Sequence, residues 1–153
     1  APSKSCVELE IAVREDSLGE YEWAICLEFQ NLAQDSPDTG RAEHSIANRC
    51  DAGALWFSGE SKTLTQRSLE DLSARIRVDN TAWQDCRIDS LLHDPEELFR
   101  QFKELTRTYG VKLLPSQWVA TGGITDCLPI KNDSLVQIEV EQEYFASVRV
   151  SHG

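Results

Sequence analysis

The amino-acid sequence predicts an α+β fold, with a mostly antiparallel sheet of about five to seven strands and one amphipathic helix packed on a face. Two observations lead to this prediction. Apolar and polar residues alternate near both ends of the chain, which is typical of strands with one buried face. A stripe of apolar residues at helical spacing marks residues 94–109. The 153 residues are expected to form a single domain, 1–153.

The first third of the chain is predicted to form a β-hairpin. Apolar residues occupy alternate positions in residues 6–13 and again in residues 21–31. Between these runs, Asp16, Ser17 and Gly19 are typical turn residues. We therefore expect two antiparallel strands that bury one face and leave the other in water.

The helix at residues 94–109 has clear start and stop signals. Asp94 is a good N-cap, Pro95 suits the first helical position, and Gly110 favours a left-handed C-cap. Its apolar stripe, which we expect to pack into the core, consists of Leu98, Phe102, Leu105 and Tyr109, broadened by Phe99.

The remaining elements are predicted from shorter patterns. Alternation over residues 135–150 indicates one bent strand or two strands that separate near residues 142–143. Residues 121–123 (TGG) are expected to form a loop. A short helix is expected from Ser68, running into a strand that ends at residue 78. Further short strands are expected at residues 43–49, 54–58, 82–88, 111–114 and 118–120.

Charge and cysteine content restrict the environment and the partners. The net charge of −11 disfavours nucleic acid and anionic membranes as partners, because both would repel the chain. No apolar run is long enough to span a bilayer, and no secretory signal is recognisable. The five cysteines show no C-x-x-C spacing, so we expect free thiols and a cytoplasmic location. An exported protein with one or two disulfides is the alternative.

Glutamates dominate the polar positions of the best-predicted strands. They are Glu8, Glu10, Glu22, Glu28, Glu139, Glu141 and Glu143. If these strands share a sheet, the glutamates form one acidic, solvated face that would attract a basic protein partner. The residues predicted to bind this partner are Glu22, Glu28, Glu139, Glu141 and Glu143, together with Trp83 and Trp118 at strand ends. A plain solubilising surface and a divalent-cation site are the alternatives.

No motif in the sequence identifies a catalytic residue, a metal or another cofactor. His44 and Cys50 form no recognisable catalytic arrangement, and residues 121–126 lack the pattern of a phosphate-binding loop. The sequence therefore predicts a non-catalytic protein-binding module of inhibitory or regulatory type. The alternatives are a small enzyme or ligand-binding domain with a pocket between sheet and helix, and a structural subunit of a larger assembly.

Overall fold

A computed structural model of the chain describes residues 4–32, 52–57, 69, 71–91, 94–141 and 144–151. These residues include one α-helix, α1 (Pro95–Thr108), and a short 3-10 helix (Ile88–Ser90). The described strands are β1 (Lys4–Glu15), β2 (Tyr21–Leu32), β3 (Ala52–Trp56), β4 (Ala74–Val78), β5 (Gln84–Asp85), β6 (Val119–Gly123), β7 (Leu128–Ile130), β8 (Leu135–Val140) and β9 (Tyr144–Arg149).

The strands form two antiparallel sheets, which confirms the α+β class but divides the predicted single sheet in two. The first sheet has the order β3-β2-β1-β6, and β7 also pairs with β1. The second has the order β5-β4-β8-β9. Apolar side chains from both sheets, such as Leu9 and Ile11 on β1 and Ile76 and Ile138 on β4 and β8, belong to one shared core.

The predicted hairpin is confirmed as β1 and β2, which pair from Lys4↔Leu32 to Glu15↔Tyr21. In the connecting turn, the Asp16 carboxylate accepts hydrogen bonds from the backbone N–H groups of Leu18 (2.8 Å) and Glu20 (2.9 Å). Gly19 has a φ of +83°, a backbone conformation that glycine adopts without steric cost. The turn thereby fixes the register in which the two strands pair.

The helix begins and ends as predicted but faces in a different direction. Asp94 caps it, with a side-chain oxygen 3.0 Å from the backbone nitrogen of Glu97. The helix contacts β1 and β6 and buries Pro95, Phe99 and Thr106. The prediction that the stripe of Phe102, Leu105 and Tyr109 forms core is wrong, because these side chains are 39%, 52% and 76% exposed.

The orientation of the helix follows from its contacts on the sheet side. The ring of Phe99 meets that of Tyr21 edge to face, with centroids 5.8 Å apart. One turn further on, Lys103 forms an ion pair with Glu15 of β1. Residues 99, 103 and 106 lie on one helical face, about 100° from the predicted stripe. A lysine within the buried face concealed that face from the apolar pattern.

Other predictions were correct in part. The tail is two strands, β8 and β9, with Glu141 at a positive φ of 54° where β8 ends. Residues 111–114 are not a strand, whereas residues 121–123 belong to β6 and not to a loop. The expected strand at 82–88 is only β5, and β7 was not predicted. The expected strand at 43–49 lies outside the described residues, as do residues 68 and 70 of the helix expected from Ser68. Residues 71–73 are not helical, and the strand expected to end at residue 78 is β4.

The prediction of five free thiols is wrong for two of them. Cys6 on β1 and Cys127 just before β7 form a disulfide, with Cα atoms 5.5 Å apart and a separation of 121 positions in sequence. The pairing of β1 with β7 brings them together, and no local pattern could show this. Cys26 and Cys86 are free, and Cys50 lies outside the described residues. No helix in the described part of the chain is long and apolar enough to cross a membrane.

Candidate metal centre

Three carboxylates converge on one face of the β1–β2 hairpin. Glu8 lies directly opposite Glu28 across the two strands, and Glu10 lies two residues beyond Glu8 on the same face. One ligand oxygen from each side chain can be chosen so that all three lie within 4.8 Å of one another. The geometry of the hairpin alone therefore gathers three potential oxygen ligands for a cation.

This face is largely buried, although the sequence predicted that it would be wet. Glu10 is only 7% exposed, and its Oε2 atom has no hydrogen-bond partner among the described residues. Its neighbours Ala12, Ala24 and Cys26 are each 1% exposed or less. Burying a carboxylate oxygen without a hydrogen-bond partner costs free energy of folding. The burial of Glu10 therefore indicates that its side chain binds a ligand.

Burial and mutual repulsion raise the pKa values of Glu8 and Glu10. The pKa of Glu8 rises from 4.5 to about 7, first because burial removes water and then because of the charge of Glu28 and a hydrogen bond between the two carboxyl groups. The pKa of Glu10 rises from 4.5 to about 8, again mainly through burial and then through the charges of Glu28 and Glu8. A bound cation would reverse this effect by compensating the negative charge.

Neighbouring groups accommodate the carboxylates without adding positive charge. The Nε2 atom of Gln30 lies 2.7 Å from Glu8 Oε1 and 3.0 Å from Glu28 Oε2. On the other side, Gly123 of β6 lies so close that a Cβ added there would be 2.8 Å from Glu8 Oε2. Only a residue without a side chain leaves Glu8 in its observed place.

The segment around Gly123 is itself held against β1. The register of β1 with β6 shifts between Ile11 and Ala12. At this shift the Thr121 hydroxyl donates to the Ile11 carbonyl (3.0 Å), and two residues away on β1 the Leu9 N–H donates to Thr125 Oγ1 (2.9 Å). A β-bulge of this kind often redirects side chains beside a functional site. Here it brings Gly123 against the carboxylate cluster.

The chemistry of the cluster suits a hard divalent cation. Carboxylate oxygens are the ligands preferred by Mg²⁺, Ca²⁺ and Mn²⁺, and a few carboxylates often leave further coordination positions for water or substrate. The sequence showed no metal motif because the ligands lie on two strands, in a spacing set by the turn. Of the residues predicted to bind a partner, Glu28 alone belongs to this cluster.

Two other predicted binding residues, Glu22 on β2 and Trp118 just before β6, form a separate arrangement. Glu22 forms an ion pair with Arg14, which faces it across the hairpin. The Arg14 guanidinium lies over the ring of Trp118, 4.5 Å from its centroid, and Trp118 stacks on Phe57. Trp118 and Glu22 are therefore joined through one arginine, and the charge of Glu22 is already compensated.

The second sheet repeats this arrangement with Trp83 and Glu139. The guanidinium groups of Arg75 and Arg77 lie 4.7 and 4.6 Å from the centroid of Trp83. Arg75 also forms a 2.8 Å ion pair with Glu139, directly opposite on β8. Glu141 follows β8 in a turn, and Glu143 lies outside the described residues. Among the described residues, the predicted glutamates are thus distributed over two sheets and a turn and do not form one acidic face.

Comparison with known proteins gives a result only at the level of the fold. No family model matches the sequence, and no curated protein matches it significantly. Among solved structures, 4-oxalocrotonate decarboxylase from Pseudomonas putida G7, complexed with magnesium and adipate, matches 94% of this chain with a TM-score of 0.76 and 14% identity.

Two further enzymes are similar in fold. One is 5-carboxymethyl-2-hydroxymuconate delta-isomerase from Mycobacterium smegmatis, with a TM-score of 0.62 and 18% identity over 94% of this chain. The other is 2-keto-3-deoxy-D-arabinonate dehydratase complexed with magnesium and 2,5-dioxopentanoate, with a TM-score of 0.61 and 15% identity over 98%. The chain spans 59%, 57% and 54% of the length of the decarboxylase, isomerase and dehydratase chains, respectively.

These similarities correct the predicted function. The prediction of a non-catalytic binding module is wrong, since the three solved structures described above, which share the fold, are enzymes. The alternative, a small enzyme or ligand-binding domain, agrees better with them. The physical reason for the error is that Glu8, Glu10 and Glu28 converge in a largely buried cluster and do not line a solvated docking surface.

Proposed function

We propose that this chain is the cation-binding part of a divalent-metal-dependent enzyme that acts on a small oxo-carboxylate. The observation that carries the proposal is the convergence of Glu8, Glu10 and Glu28, with a buried Glu10 oxygen that no described residue satisfies. Such a site is expected to hold Mg²⁺ or Mn²⁺ through these three side chains.

The solved structures with this fold support the choice of ligand and substrate class. Two of them hold magnesium together with a carboxylate or an oxo compound, adipate in one and 2,5-dioxopentanoate in the other. A divalent cation, when bound, supplies a Lewis acid that polarises a carbonyl or carboxylate oxygen. The residues of this chain would hold the cation, and the burial of Glu10 would limit the access of water.

Cation binding tests the proposal directly. We expect isothermal titration calorimetry with Mg²⁺ and Mn²⁺ to show one site per chain, with tighter binding at about pH 8 than at about pH 6, since the ligands must lose their protons. Glu10→Gln is expected to weaken binding at least about tenfold by removing one anionic ligand. Glu104→Gln is the matched control, because Glu104 lies on the exposed side of α1.

The substrate class is tested on the loaded protein. Pyruvate and adipate are suitable first probes, followed by a panel of 2-oxo acids in which consumption is monitored by ultraviolet absorbance. We expect an oxo acid to change the electron paramagnetic resonance spectrum of bound Mn²⁺, because its oxygens would enter the coordination sphere. Wild-type protein that binds neither cation, or a Glu10→Gln variant with wild-type affinity, would contradict the proposed function.

A further inference from the structure

Gln30 is the neutral polar side chain that links two of the three carboxylates. It lies on β2 opposite Cys6, on the same face as Glu28. Its single amide nitrogen donates to Glu8 Oε1 at 2.7 Å and to Glu28 Oε2 at 3.0 Å. A carboxamide nitrogen has two N–H donors, so Gln30 uses both of them on the cluster.

These two hydrogen bonds hold the carboxylates of Glu8 and Glu28 together, although their charges repel each other. Glu8 and Glu28 are directly opposed, and like charges in that position repel each other. By bonding one oxygen of each carboxylate, Gln30 holds the two groups side by side and leaves their second oxygens, Glu8 Oε2 and Glu28 Oε1, for another ligand. The hydrogen bond from Gln30 also lowers the pKa of Glu8, against the effects of burial and of Glu28.

The neutrality of this donor matters as much as its geometry. Arginine or lysine at the same place would also hold two carboxylates together, but its charge would compensate them and repel a metal ion. An amide bonds to both groups while their negative charge is kept for a cation. Elsewhere in the hairpin and in the second sheet, Glu22 and Glu139 pair with arginines, whereas Glu8 and Glu28 receive an amide.

The two carboxylates also fix the orientation of the amide. Its Oε1 atom lies 3.8 Å from the Sγ atom of Cys6, which is bonded to Cys127. With the oxygen on the disulfide side, the nitrogen faces the two carboxylates. The reverse orientation would place the amide oxygen against carboxylate oxygens and lose both hydrogen bonds.

We propose that Gln30 is a positioning residue of the cation site, which aligns Glu8 and Glu28 for a divalent cation without compensating their charge. The inference rests on the proposed function and adds to it a residue that does not itself bind the metal. Partners of ligating carboxylates in other metal sites typically change metal affinity by about 10- to 100-fold when they are removed.

The test compares Mn²⁺ affinity and stability in the whole chain for two substitutions. Gln30→Leu removes the donors at nearly constant size, and we expect Mn²⁺ to bind about 10- to 100-fold more weakly. Gln30→Lys keeps a donor but adds a charge; we expect an equal or larger loss of affinity together with a higher urea midpoint in chelator. The matched control is Gln101→Leu, which removes a glutamine that donates to Glu97 at 3.0 Å on the exposed helix surface.

The possible outcomes separate the two proposals. If wild-type protein fails to bind Mn²⁺, the proposed function is wrong and the role of Gln30 is lost with it. If the wild type binds while Gln30→Leu binds equally well, the proposed function stands and the inference about Gln30 is overturned. Because Gln30→Lys is expected to be stable, its loss of affinity would support positioning and neutrality, whereas wild-type affinity in that variant would refute both.

Discussion

The buried carboxylates make a specific prediction about the stability of the protein as a function of pH. In the folded chain the pKa of Glu10 is raised from 4.5 to about 8, so the folded state holds a proton that the unfolded state has released at neutral pH. Stability must therefore fall as the pH rises through this window, because the folded state binds more protons than the unfolded state. A carboxylate whose pKa is lowered on folding, for example by an ion pair, gives the opposite dependence.

The magnitude follows from the same two pKa values. The difference between 4.5 and about 8 corresponds to about 5 kcal/mol for Glu10 alone. Small rearrangements that admit water to the carboxyl group would relieve part of this cost. Glu8, whose pKa rises to about 7, is less buried and contributes a smaller amount because solvent screens it. A loss of about 2–5 kcal/mol between pH 5 and pH 8.5 is a large part of a typical domain stability.

The assay is urea unfolding in the presence of a chelator, because urea leaves ionic strength unchanged. We expect the free energy of unfolding to decrease between about pH 5 and pH 8.5 in the wild type, and to decrease much less in Glu10→Gln. Glu104→Gln on the exposed helix surface should follow the wild type. Adding Mg²⁺ at about pH 8 should restore stability, by about 2.7 kcal/mol at 100 times the dissociation constant.

Two results would refute this reasoning. A free energy of unfolding that stays constant or increases from about pH 5 to pH 8.5 would mean that the carboxylates ionise freely in the folded protein. An unchanged pH slope in Glu10→Gln would mean that other groups cause the decrease. In either case the cluster would be better solvated than its 7% exposed Glu10 implies.

Three further predictions test other parts of the structure. Gly123→Ala places a Cβ 2.8 Å from Glu8 Oε2. Calorimetry should therefore show an Mn²⁺ affinity about tenfold lower, with little change in melting temperature. An affinity equal to that of the wild type would refute the close contact. Phe99→Ala should lower the free energy of unfolding in urea by about 3–5 kcal/mol, and Phe102→Ala by clearly less, since the two side chains are 3% and 39% exposed. The reverse order would mean that the helix packs through its other face. Reducing the Cys6–Cys127 disulfide should lower the free energy of unfolding by about 2–5 kcal/mol. In denatured protein, reduction should release two more thiols than are titrated without reductant. Failure to release them would rule out the bond.

The sequence predicted those parts of the fold that depend on local patterns. The alternation in β1, β2, β8 and β9 and the caps of α1 are visible within a few residues, and each was confirmed. Packing between distant elements was not predictable in this way. The direction of α1 depends on Lys103 meeting Glu15, and the disulfide depends on β7 joining β1.

The candidate site was only partly accessible from the sequence. A hairpin centred near residue 18 places residue 8 opposite residue 28. The predicted turn therefore implied that two glutamates face each other. The burial of their shared face was not, since an alternating strand does not reveal whether its polar side is covered. Gln30 and Gly123 carry no local signal, because their importance lies only in their distances to Glu8.

The strongest argument that the cluster is functional comes from the residues that pair with the other strand glutamates. Glu22 faces Arg14 across the hairpin, and Glu139 faces Arg75 across β4 and β8. These registers show that an opposing arginine is readily accommodated in both sheets. At the cluster, by contrast, Glu8 faces Glu28 and Glu10 faces Cys26.

Substituting arginine or lysine on either strand would remove the repulsion at the cluster, so the present arrangement costs stability that a simple change would recover. Natural proteins tolerate such costs mainly at functional sites. Arg14 and Arg75 supply the positive charge opposite Glu22 and Glu139. A cation bound from solution would supply it at the cluster. The same comparison explains why the donor between Glu8 and Glu28 is an amide: a charged residue there would stabilise the fold and close the site.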